Sequence, residues 1–119
     1  METEIFVQKL KDVIVDENLD TFRKIYETTV ITDKIKQDPY WNDVLTFYKS
    51  LSEENRNILF NIIRQTIIDT GSTILGAIDG SVTLENVRGE FLLTYDDNTE
   101  GEQIDKLLYL QDHFLNLFY

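Results

Sequence analysis

Apolar residues recur at three- and four-residue intervals through most of this chain, and only one short stretch alternates. The first interval pattern places Phe6, Leu10, Val13 and Ile14 on one face and predicts a helix from Glu4 to Val15, with Thr3 able to cap it. A second, shorter helix is expected from Thr21 to Val30, with Asp20 as cap and Phe22, Ile25 and Tyr26 as its stripe. The β-branched run Thr28-Thr29-Val30-Ile31 weakens helix there, because two substituents on Cβ restrict χ1 against the preceding turn. Asp38-Pro39 is the clearest start signal: aspartate offers a cap oxygen, and proline fits a first turn whose amides lack partners anyway. The third helix runs from there to Ser50, with Trp41, Val44, Leu45 and Tyr48 on one face and Leu51 extending it.

Ser52-Glu53-Glu54 opens a fourth helix, with a serine cap and two acids at the positive end of the dipole. Ile58, Leu59, Ile62, Ile63 and Ile67 cover more than a stripe, so this helix (53-70) is expected at the centre, covered on several sides. Gly71 is expected to end or kink it. Beyond it, Ser72, Gly76 and Gly80 either form a small-residue face on a kinked continuation to Ile78 or mark turns; the continuation is the preferred reading. Residues 90–95 alternate and predict a strand. Val82-Thr83-Leu84 is its expected partner across Glu85-Asn86, giving a small β-hairpin (82-95). Asp96 to Gly101 reads as a loop, and a last helix is expected from Ile104 to Phe118, docked on the core or on a partner subunit. The expected fold class is mainly α (α+β), a single domain over 1-119, with about five helices around the central one.

Charge changes this picture most. The 119 residues carry 22 acids and 11 bases, a net of −11. Residues 79–112 hold nine acids against Arg88 and Lys106, a net of −7. Such a field repels phosphate, so neither nucleic acid nor an anionic membrane surface is an expected partner. It attracts a basic protein and speeds its arrival. The chain has no cysteine, which removes disulfides and thiolate zinc sites and fits a cytoplasmic location. Met1-Glu2-Thr3-Glu4 is acidic where a secretory leader would be basic.

Candidate chemistry falls away on inspection. Asp96-Asp97-Asn98-Thr99-Glu100-Gly101 matches the first half of a calcium loop, but the twelfth position, where a bidentate glutamate belongs, is Leu107. Gly71 to Gly76 has the glycine spacing of a phosphate loop, yet Ala77 and Ile78 replace the lysine and hydroxyl that such a loop needs. His113 stands alone, and Asp112 points about 100° away from it on a helix. Glu85, Glu90, Asp96 and Asp97 lack convergent donors for acid–base work. Tyr40, Trp41, Phe47 and Tyr48 are spaced as one amphipathic helix, which points to packing before ligand binding. No metal, cofactor or enzymatic activity is expected.

Small size, acidity and the lack of a catalytic constellation fit a protein–protein interaction module, in the manner of an immunity- or inhibitor-type protein that binds a basic protein. The expected contact residues are Glu85, Glu90, Asp96, Asp97, Glu100, Glu102 and Asp105, with Tyr95 or another exposed aromatic as apolar anchor. The alternative is an assembly protein that forms a homodimer or larger homo-oligomer through the apolar run Leu107 to Tyr119.

Overall fold

In a computed structural model, described for residues 1–99 and 104–119, one continuous helical rod opens the chain. It comprises α1 (Thr3–Lys11), a π-helical turn (Asp12–Glu17) and α2 (Asn18–Thr28). The expected break before Asp20 is absent, because nothing from Asp16 to Asp20 is glycine or proline and the amides keep helical partners. The π turn widens the helix and changes its phase. Val7 and Val15, eight residues apart, are both fully buried. On an unbroken α-helix they would stand about 80° apart.

After α2 come α3 (Asp33–Lys36), α4 (Pro39–Ser50) and α5 (Glu53–Asp79). The single turn α3 was not foreseen; the Thr32 hydroxyl accepts from the Ile35 amide and nucleates it. Asp38 and Ser52 cap α4 and α5 as expected, their side-chain oxygens accepting the Tyr40, Trp41 and Asn55 amides. Helix α5 runs through Gly71 and ends at Gly80, whose φ of 86° lies where a side chain would be strained. The preferred continuation is therefore present, one residue longer than expected. Ser72 and Gly76 are buried beneath the last helix, where a Cβ on Gly76 would come within 2.6 Å of the Gln111 amide nitrogen.

The strand expected at 90–95 is present as β1 (Leu93–Tyr95). Its antiparallel partner is β2 (Asp105–Leu107), not 82–84, with Leu93 opposite Leu107 and Tyr95 opposite Asp105. The reason is burial: Leu93 and Leu107 pack on the main core, while 82–84 stay with the end of α5, where the Val82 amide donates to the Gly76 carbonyl at 2.9 Å. β2 therefore occupies the start of the expected last helix, and α6 is confined to Leu110–Leu115.

Two apolar clusters sit along α5. The larger joins Val7 and Val15 of the first rod, Ile68 and Leu75 of α5, Leu107 of β2, and Leu110 and Phe114 of α6. The smaller is aromatic: Tyr26, Tyr48 and Phe60 meet with ring centroids 5.6 to 6.1 Å apart, Arg23 lies over Phe60, and Arg56 lies over Tyr48. The result is long and open. The radius of gyration is 19.0 Å, where a compact chain of this length would give about 13.5 Å. No helix among the described residues is long and apolar enough to cross a membrane.

Candidate interaction cleft

The acidic stretch surrounds a hollow. The end of α5, the irregular segment 80–92 and the residues flanking β2 enclose two contiguous depressions of about 840 and 350 Å³. Leu84, Val87, Phe91, Leu92, Leu108 and Tyr109 line them and remain exposed, Phe91 at 56% and Tyr109 at 68%. A turn bond from the Val87 amide to the Leu84 carbonyl and a left-handed Asn86 shape the segment. The carboxylates of Asp79, Glu90 and Asp112 also line the hollow, against the single ammonium of Lys106.

Asp79 holds the cleft floor together. Its Oδ1 accepts the Ser81 amide and its Oδ2 accepts the Gln111 amide, each at 2.9 Å. Burial raises its pKa, but hydrogen bonds from the Ser81 hydroxyl and from the Gln111 and Ser81 amides outweigh burial and leave the carboxyl below its ordinary value. The Gln111 side chain in turn donates to the Ser72 carbonyl at 3.1 Å. Tyr109, which precedes α6, sits at φ 57°, a left-handed conformation that an aromatic residue seldom adopts. It lines the smaller depression, so backbone strain and an exposed ring coincide at the site.

The residues expected to form the contact surface divide into groups. Glu85, Glu90, Asp96 and Asp97 are exposed, and Glu90 lines the cleft. Asp96 and Asp97 accept from the Asn98 and Thr99 amides at 2.8 Å and so shape their own turn. Tyr95 is half-buried and packs on the core, which leaves Phe91 and Tyr109 as the exposed aromatics beside the cleft. Asp105 stands opposite Tyr95 on the same face of the ribbon and pairs with the Met1 ammonium. Glu100 and Glu102 lie outside the described residues.

Sequence reasoning missed Leu84, Val87, Phe91, Leu92, Leu108 and Tyr109 as site residues. Part of the signal was available: Leu84, Val87, Phe91 and Leu92 put four large apolar residues in a stretch of nine, at the i, i+3, i+7, i+8 spacing of one apolar face. Among the described residues, no group of three or more His, Asp or Glu side chains is placed to hold a metal ion. His113 lies 3.8 Å from Glu4, bridging α6 to α1. No protein-family model, curated protein or solved structure matches this chain.

Proposed function

We propose that this chain is a protein–protein interaction module that docks a basic protein in the cleft between α5, segment 80–92 and β2. The observation that carries this reading is the coincidence of six exposed large apolar side chains with the most acidic part of the chain. A hollow lined by apolar side chains together with carboxylates suits a partner with a hydrophobic or aromatic anchor ringed by lysine and arginine. The carboxylates speed encounter, and the apolar contact holds the complex. The action is binding rather than catalysis, as in an immunity- or inhibitor-type protein that occupies its partner's working surface.

The test is a photo-crosslinking side chain at Val87, used in native lysate at low and at high salt with identification of what it captures. A basic protein is expected at Val87 at low salt, its capture falling as salt rises. Capture is also expected to fail in the pair Phe91→Ser and Glu90→Lys. Capture that ignores both salt and that pair overturns the reading.

Self-association through the C-terminal helix has less surface to draw on. Leu107, Leu110 and Phe114 from that apolar run are used inside the protomer's own core.

A further inference from the structure

The chain makes no turn between Glu90 and Tyr95, so Glu90, Phe91 and Leu92 run straight into β1. The ladder with β2 ends at Leu93 opposite Leu107, and no residue before Leu93 has a cross-strand partner. The facing chain leaves at once: Tyr109, two residues past Leu107, takes a left-handed turn into α6. Among the described residues, no backbone hydrogen bond reaches Glu90 or Phe91, and none joins β1 to an element other than β2. Val82-Thr83-Leu84, the partner that alternation suggests, lines the larger hollow together with Glu90, Phe91 and Leu92 but forms no ladder with them. The unpaired backbone that leads into a strand therefore borders the hollow.

Exposed amides and carbonyls bond to water, and a docking partner displaces that water. A helix has already paired its own backbone, so against this wall it would leave the amides and carbonyls of 90–92 dry and unpaired. An extended segment brings matching donors and acceptors. We infer that the basic partner enters as an extended segment that pairs beside Glu90–Leu92 as a third strand of the ribbon. This inference rests on the docking role proposed above and names the shape that the cleft takes. Alternation then fixes the side chains of the incoming strand. Glu90 and Leu92 share one face, and Phe91 stands on the other. The residue opposite Glu90 is lysine or arginine, because opposite charges across a ladder attract and like charges repel. Those opposite Phe91 and Leu92 are apolar, since both side chains are 56% exposed and gain by being covered. The wider charge agrees in sign: Asp79, Glu90 and Asp112 line the hollow against Lys106 alone.

The test is a nuclear magnetic resonance titration of the full chain with synthetic probes. They are acetyl-Lys-Val-Val-Lys-Val-Lys-amide, the same peptide N-methylated at alternate residues in either phase, and a stapled helical peptide of equal charge. The plain peptide is expected to shift the amides of Glu90, Phe91 and Leu92. Methylation in one phase should weaken it at least about tenfold, while the other phase leaves it within about twofold, because only alternate amides of a strand face its neighbour. Glu90→Lys should weaken the plain peptide about fivefold. Equal response to the two phases, or a helical probe that binds the same residues more tightly, overturns strand addition and leaves the docking of a basic partner standing. Shifts confined to the outer edge of β2 overturn it as well. If neither the extended nor the helical probe moves residues 84–92, strand addition and the docking role fall together.

Discussion

Asp79 caps a helix that starts thirty-one residues further along the chain: its Oδ2 accepts the Gln111 amide, near the first turn of α6, at 2.9 Å. The residue at the N-cap position, Tyr109, makes no side-chain cap of its own, so the carboxylate of another helix takes that part. One group thus ends α5, through Ser81, and begins α6.

Replacing Asp79 with alanine removes both bonds and should cost about 1–2 kcal/mol, the usual cost of a lost cap. The corresponding fall in Tm is about 3–8 °C by calorimetry. Asparagine keeps one acceptor oxygen and should cost less.

The same carboxyl gives a pH signature. Its folded pKa is depressed, so the unfolded chain takes up the proton first as pH falls. Its contribution is complete above the ordinary aspartate value, about 3.9, and fades as pH drops through the lower folded value. Denaturation of the wild type and of Asp79→Asn should differ at neutral pH and converge in acid. A gap that persists unchanged to low pH would show that ionisation plays no part.

At Gly76 the opposing effects can be ranked. Alanine in place of a mid-helix glycine normally gains up to about 1 kcal/mol. Here its Cβ would lie 2.6 Å from the Gln111 Nε2 and 2.7 Å from a Val82 methyl. Gln111 cannot move aside without giving up its hydrogen bond to the Ser72 carbonyl, and Val82 is held by the hydrogen bond its amide donates to the Gly76 carbonyl. Overpacking should win, with a net loss of about 1–3 kcal/mol in urea titration. Adding Gln111→Ala should recover only part of it, since the valine contact remains.

Arg56 ties the start of α5 to the end of α4. Its Nε and Nη2 donate to the Tyr48 and Lys49 carbonyls at 3.1 and 3.2 Å, and its guanidinium lies 4.6 Å from the centre of the Tyr48 ring. Lysine cannot reproduce that fork, so Arg56→Lys should lose about 1–2 kcal/mol. The loss should be local. Hydrogen exchange is expected to quicken across α4 while the core amides of α5 near Ile68 keep their protection.

Tyr109 separates stability from binding. Glycine there relieves a left-handed aromatic residue and should raise stability by up to about 1 kcal/mol. It also removes an exposed ring from the cleft, so capture at Val87 should weaken in the same variant. Unchanged capture would remove Tyr109 from the docking surface.

The sequence-based reading succeeded where the signal was local. Asp38-Pro39 and Ser52 mark two helix starts because a cap needs only its next three residues. The strand at Leu93–Tyr95 followed from alternation. Its partner did not, because the choice between 82–84 and 105–107 rests on which leucine reaches a core assembled from distant parts of the chain. The fusion of α1 with α2 was hidden for a related reason: Asp20 reads as a cap until it is found inside α2, which the π turn joins to α1 without a break. The acidity of the candidate site was plain from composition. The hollow inside it depends on α5 continuing past Gly71 and on Asp79 reaching α6, and neither is a property of neighbouring residues.

A helix with a π turn is longer by one residue than its ends require. The stretch Asp12–Glu17 therefore holds a spare residue. Excising Val13, whose side chain faces solvent, would shorten the rod while leaving Val7 and Val15 aimed inward, so that a deletion ruinous in an ordinary helix is absorbed here.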